Sequence, residues 1–333
     1  MTRQGILTAG NFLVDYIKLI DDYPAEDMLA IIRSQTRSNG GGPYNMLKNL
    51  SRMKAGFPIH AATLLGEDDN GRWILSDLEA HGIDTSLVRF TSERGTSFTD
   101  VMCNQRNGRR TFFHDPGTNA LFDGSHVDFH SCGAKILHLG LLTILEKMDS
   151  FADDGETLAA HFLARARAAG LITSVDLVST EHPRFREIAL SAMRHTDYLV
   201  INELEAARVL GREVAGDSAV ALREAAAELL ALGVQKAAVI HSSHGVAHAG
   251  HDVTLSLGSL VLPDDFIKGA NGAGDAFATG FLHAVHEDRS VEEQLELGVC
   301  AAAACLTDTT PSGGLLPVDE CLALGLKYGF RQF

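Results

Sequence analysis

The sequence predicts an α/β protein in three layers, a mostly parallel sheet with helices on both faces, from which a small second sheet projects. Three observations carry this. Apolar runs of strand length alternate with Ala- and Leu-rich stretches in which apolar residues recur at three and four. Strands separated in this way by helices pair in parallel through right-handed crossovers. Two segments, 13–34 and 97–113, break the rhythm with shorter β-branched runs and polar interruptions. No Pro- or Ser-rich linker and no repeat of about 20 to 50 residues divides the 333 positions, so 1–333 reads as one domain, although the length would allow about two.

In chain order, residues 6–9 read as the first buried strand. Segment 13–34, together with 97–113, suits the strands of a lid over the carboxyl ends of the parallel strands, where open α/β sheets bind ligands. Ordinary surface hairpins give the same pattern. Between these segments, Ser38-Asn-Gly-Gly-Gly-Pro-Tyr-Asn-Met-Leu-Lys-Asn-Leu50 joins a glycine triplet to a helix with Met46, Leu47 and Leu50 on one side. Asn45 stands where the dinucleotide fingerprint G-x-G-x-x-G needs its last glycine. Close approach of the backbone and the Asn45 amide to a polar ligand fits better, beside the plainer reading of a glycine turn capping a helix.

Residues 136–139, 172–175, 198–201 and 237–240 are further buried strands, and 158–169 and 219–232 are helices. Asn202 and Glu205 follow the strand 198–201 and share one face of a starting helix. Oxygen ligands for a hydrated Mg²⁺ and a simple capping box both fit that spacing, and taken alone the cap prevails. In the segment 266–285, Phe277, Gly280, Phe281, Ala284 and Val285 recur at helical spacing, so a helix begins near Asp275. Gly272, Ala273 and Gly274 precede it with almost no side-chain bulk, leaving backbone N–H groups and the helix dipole to cradle a phosphate. Asp275 is then either an ordinary first-turn residue or a carboxylate that orients and deprotonates an attacking hydroxyl, with a pKa that the helix terminus should hold low. No G-x-x-x-x-G-K-[ST] occurs, which excludes a P-loop enzyme.

Composition narrows the partners. Lys and Arg number 28 against 43 Asp and Glu, a net charge of −15 that repels nucleic acid and anionic membrane surfaces. No apolar run approaches the ~20 residues of a membrane span, and Asp15 interrupts the amino-terminal apolar segment, so a soluble, cytoplasmic protein is expected. The five cysteines are scattered, with no C-x-x-C pair, and read as reduced, mostly buried thiols. His241, His244, His248 and His251 are too loosely spaced to imply a tetrahedral zinc site.

Taken in order, these motifs resemble the PfkB/ribokinase family of carbohydrate and nucleoside kinases. The resemblance runs from Gly10-Asn11 to 311–317. It rests on Asp15 after the first strand, on Gly40, Gly41 and Asn45, and on Gly66, Asp68 and Gly71. Gly108-Arg-Arg-Thr-Phe112, Asn202-x-x-Glu205 and Gly272-Ala-Gly-Asp275 complete it. The resemblance implies a ribokinase-like fold in which ATP donates its γ-phosphate to a hydroxyl, a primary alcohol, of a small sugar. Asp275 would be the catalytic base, and Gly272, Ala273 and Gly274 the anion hole. Asn202 and Glu205 would organise Mg²⁺ near the phosphates through water. Asp15, Gly41 and Asn45 would bind sugar hydroxyls, with Asn11 in the same pocket, under a lid that excludes water and through which two copies of the chain could pair.

The sequence departs from the family at several points. Gly269-Ala-Asn271 replaces the common Asp-Thr-Thr, removing the carboxylate used for a monovalent cation, so K⁺ activation is not carried over. Ser242 replaces a glycine of the nucleotide loop, and Asp176-Leu-Val178 lacks the usual Asp-x-Asn. A nucleoside acceptor is the alternative, because residues 10–15 and Asn271 resemble adenosine kinases and Phe12, Phe98 and Phe113 could face a base. A non-catalytic ligand-binding protein on the same fold is a third reading, opposed by the intact Asp275 motif.

Overall fold

A computed structural model describes residues 3–106 and 109–333. At its centre lies β1 (Ile6–Gly10), a fully buried strand paired in parallel with β4 (Ile59–Gly66) on one side and β8 (Ile136–Leu142) on the other. Beyond β4 the sheet ends at β5 (Asp84–Thr91). Beyond β8 it continues through β9 (Ile172–Leu177), β10 (Tyr198–Asn202) and β11 (Ala237–His241), all parallel. Two antiparallel strands, β12 (Gly245–Gly250) and β13 (Thr254–Gly258), close that edge.

Alternation along these strands builds two cores. Leu7, Leu137, Val175, Leu199, Ile201 and Ile240 face one layer, formed by α3 (Leu158–Ala168), α4 (Phe185–Met193), α5 (Glu203–Leu210) and α6 (Ala219–Ala231). Ile6, Ile136, Val200 and Val239 face the other, formed by α1 (Gly42–Arg52), α2 (Asp69–Ala80), α7 (Ala273–His286), α8 (Val291–Cys305) and α9 (Val318–Tyr328). α3, α6 and α8 start where the sequence supplies an oxygen: Thr157, Ser218 and Ser290 each accept a backbone N–H of the first turn. None of the described helices is long and apolar enough to cross a membrane.

The second sheet has the order β3-β2-β6-β7, from β2 (Leu13–Ile20), β3 (Ile32–Gly40), β6 (Phe98–Asn104) and β7 (Arg110–Asp115). Its strands run past the expected edges at 34 and 113. β3 continues to Gly40, handing the chain directly to α1, because Gly40 pairs with Leu13 to the end of the ladder. Asp68, the N-cap of α2, accepts hydrogen bonds from Gly71 N, Thr96 N and Thr96 Oγ1. The Gly66-x-Asp68-x-x-Gly71 motif therefore secures the root of β6. Gly108 of the Gly108-Arg-Arg-Thr-Phe112 motif lies outside the described residues.

Candidate active site

From β1 the chain moves outward to β4 and β5, then returns to the other side of β1 as β8. The order reverses between β1 and β8, where crevices form at the carboxyl ends of open sheets. Gly10 and Gly140 are in register there, and the chain beyond each enters the site. Leu141 and Thr143 hold left-handed φ values of 62° and 82°, unusual for residues with a Cβ. Buried carboxylates hold that strained turn: Leu141 N donates to Asp176 Oδ1 at 2.5 Å, and Thr143 N to Asp149 Oδ1 at 3.1 Å.

α7 aims its first turn at this crevice. Gly272 is its N-cap with φ 77°, and a Cβ there would come within 2.8 Å of Pro311 Cα. A Cβ on Gly274 would meet the His241 ring at 3.1 Å. Gly272 is thus constrained by both its φ and its space, Gly274 is tightly packed, and the free N–H groups of the turn remain open to an anion.

Asp275 stands in the same turn. Asn45 Nδ2 donates to its Oδ2 at 2.7 Å, and Asn45 Oδ1 accepts from Asn39 Nδ2 at 2.6 Å. Asn39 also donates to Ser312 Oγ at 3.1 Å. This chain fixes the carboxylate plane. Gly42 separates Asp275 from Asp176: a Cβ on it would lie 3.2 Å from Asp275 Oδ1 and 2.9 Å from Asp176 Oδ2. The helix terminus does not hold Asp275 low as the sequence suggested. Burial first, and then the Asp176 charge, push its carboxyl up to about 6, outweighing the Asn45 hydrogen bond and the field of His138.

The lid side contributes Asp15 on β2, 8% exposed, whose carboxyl rises to about 7 through burial and the Asp275 charge, with Arg110 opposing. Asn11 is fully buried, and neither atom of its amide has a partner. Gly41, at φ 87°, lies so close that a Cβ would strike Asn11 O at 2.1 Å. Asn11, Asp15, Gly41 and Asn45 thus gather on one side of Asp275.

Asn202 and Glu205 form the capping box. Asn202 Oδ1 accepts from Leu204 N and Glu205 N, and Glu205 Oε2 accepts from Asn202 N at 3.0 Å. Ser179 and the Asn202 amide donate to Glu205 Oε1. Burial foremost raises this carboxyl to about 7, and Asp176 adds to the rise. On the far side of Gly274 opens an apolar cavity of about 470 Å³, lined by His241, Ser242, Val246, Phe277, Val299 and Leu306. The His241 ring lies tilted against Phe277, with centroids 5.2 Å apart, and burial depresses its pKa to about 4, so it is neutral.

Asp176, Asn39 and Arg110 were not singled out by sequence reasoning as site residues. A carboxylate near the carboxyl end of the buried strand 172–177 is a signal that could have found Asp176. Asn39 and Arg110 gain their places only from strand register.

This geometry is that of a known family. Residues 4–317 match the pfkB family carbohydrate kinases. The chain is 29% identical to the ATP-dependent ribose-1-phosphate kinase of Halopiger xanaduensis, covering 98% of this chain and 99% of that one. Among solved structures, it resembles Arabidopsis thaliana ribokinase complexed with ribose and ATP (TM-score 0.78, 22% identity, 97% and 99% covered). It also resembles the nucleoside kinase of Methanocaldococcus jannaschii (TM-score 0.76, 18% identity, 98% and 99% covered). A sheet reversed at β1 and β8, with a glycine-flanked helix turn presenting a carboxylate at that point, thus accompanies a match over nearly the whole sequence: this chain belongs to the pfkB family carbohydrate kinases, enzymes that phosphorylate sugar hydroxyls.

Proposed function

We propose that the chain transfers the γ-phosphate of ATP to a primary hydroxyl of a small carbohydrate, acting as a single unit over 1–333 with the second sheet as its lid. The observation that carries this is the position of Asp275, between the open N–H groups of Gly272, Ala273 and Gly274 and the polar pocket of Asn11, Asp15, Gly41 and Asn45. The 470 Å³ cavity suits an adenine, because it is apolar and ends at Ala273 and Gly274.

In this reading Asp15 accepts acceptor hydroxyl protons, and the Asn11 amide gains the partners it lacks within the protein. The reacting hydroxyl gives its proton to Asp275 as its oxygen forms a bond to the γ-phosphorus and the bond to ADP breaks. The three backbone N–H groups stabilise the charge on the moving phosphoryl oxygens. A carboxyl at about 6 is ionised at neutral pH, yet more basic than an ordinary one.

The Asp176 charge acts on the buried carboxyls of both Asp275 and Glu205 and adds to their rise, a cluster that fits a hydrated Mg²⁺ near the phosphates, because a divalent cation would relieve the repulsion. Asn202 and Glu205 would hold it through water, and it would neutralise the phosphates during transfer. No such fit exists for K⁺ at Gly269, where Arg110 Nη2 lies 3.2 Å from the position of a Cβ and would repel a cation. A sugar is favoured over a nucleoside. Phe12 is buried in a stack with Tyr44, and register puts Phe98 and Phe113 on the lid face opposite Asp15. ATP use and five free cysteines suit the reducing cytoplasm. Two copies pairing through the exposed apolar lid residues Met28, Leu29 and Ile31 complete the proposal.

Replacing Asp275 with Asn tests it. With sugar, ATP and Mg²⁺, kcat should fall by roughly 10²-fold or more while both substrates still bind. Normal turnover in that variant would reject the base. The same assay should lose all activity in EDTA and change less than twofold between tetramethylammonium and K⁺ at fixed ionic strength; a tenfold rise with K⁺ would reveal a cation site.

A further inference from the structure

Arg110 brings into this pocket a positive charge that the transfer chemistry does not use. It opens β7 opposite Cys103 of β6, and Cys103 shares a face of that strand with Thr99, the partner of Asp15. Arg110 therefore lies on the lid face that carries Asp15. Its guanidinium reaches down from the lid to the loop before the anion hole, where its Nη2 would lie 3.2 Å from a Cβ on Gly269. No side chain at 269 obstructs it.

Partly buried, the Arg110 guanidinium makes no hydrogen bond or ion pair among the described residues, whereas Arg33, Arg72, Arg184, Arg194 and Arg212 each hold a carboxylate. Two residues on in the same loop, Asn271 Nδ2 is buried and also without an acceptor. A buried donor left unpaired, as at Asn271, is costly, and a guanidinium pairs best with a planar or tetrahedral oxyanion. Which anion follows from position. Arg110 shares the lid face of Asp15, the hydroxyl-binding carboxylate, and its charge acts on that carboxyl. The transferred phosphoryl group has its own donors at Gly272, Ala273 and Gly274.

We infer that Arg110, with the Asn271 amide, forms an anion subsite on the acceptor side, so that the acceptor is a sugar already bearing a phosphate monoester or a carboxylate. This rests on the kinase reading above and adds the acceptor class to it.

The test uses the full chain with a non-hydrolysable ATP analogue for calorimetry and with ATP for turnover. Ribose 1-phosphate and fructose 6-phosphate stand for phosphate esters, 2-dehydro-3-deoxygluconate for carboxylates, and ribose, fructose and adenosine for neutral acceptors. At least one anionic acceptor should bind, and should be turned over with a kcat/KM about 100-fold above that of every neutral compound. Which anionic arm responds identifies the group. Arg110→Met should lower this preference about 30-fold, through the KM for the acceptor rather than for ATP, and Arg110→Lys should restore part of it. A neutral sugar or nucleoside as the best acceptor would overturn the inference while leaving the kinase intact. So would an Arg110→Met defect that falls on ATP. Failure of every anionic compound to bind by calorimetry overturns it whether or not anything is turned over, whereas ADP formation from none of the six would count against the kinase reading itself.

Discussion

At Asp275 two fields compete: the first turn of α7 favours its anion, while burial and Asp176 across Gly42 oppose it, and the second pair wins. In the kinase reading proposed above, Asp275 is a base that must be ionised, and the expected outcome is an acid limb in kcat/KM that bends near pH 6. Asp176→Asn removes the like charge, so the Asp275 pKa should fall and activity, normalised to its plateau, should persist to lower pH. A pH–rate profile for both proteins checks this, and an unmoved limb would assign the whole effect to burial. Much of this competition was hidden in the sequence. Gly-Ala-Gly-Asp at 272–275 announces an anion hole and a carboxylate, but nothing in one dimension places Asp176 beside them, because that contact depends on parallel pairing of β8 with β9.

Elements whose logic is local were legible, those set by pairing less so. Buried strands such as β1, β10 and β11 show as apolar runs, and α6 and α7 as periodic ones. The face of the lid that Asp15 and Arg110 share was not readable, since β2 pairs in parallel with β6, 84 positions away between Val14 and Phe98. For the same reason Asn202 and Glu205 keep both of their sequence readings, with the capping box made and water-mediated metal binding left to the assay. At the head of α7, local logic gives a sharp expectation. Gly272→Ala must adopt φ near 77° and push against Pro311, so it should cost about 1–3 kcal/mol of stability and tilt the N–H groups off the phosphate. Calorimetry should show a Tm lower by several degrees, and single-turnover transfer should slow at least tenfold. A variant that melts lower but reacts normally would separate the turn's structural part from its chemistry.

Across the whole molecule, the lid leaves Met28 70% and Leu29 85% exposed beside Ile31 and Ile32, an apolar surface a lone soluble protein rarely keeps. If two copies cover it, sedimentation equilibrium should give a dimer for the parent protein and a monomer for Leu29→Glu, and a monomeric parent would withdraw the pairing. The reversal of strand order at β1 has a consequence in time as well as in space. The hydrogen bond from Asn45 to Asp275 joins positions 230 apart, and β1 waits for β8, some 130 residues later, before its second edge is covered. Contacts so distant in sequence form late and slowly. On the ribosome, the first half of the chain can raise its lid and helix α1 well before α7 emerges, and throughout that interval the pocket of Asn11, Asp15, Gly41 and Asn45 exists without Asp275. In the kinase reading proposed above, transfer therefore waits for α7, and a nascent chain that has not yet made it lacks the carboxylate that would take the proton.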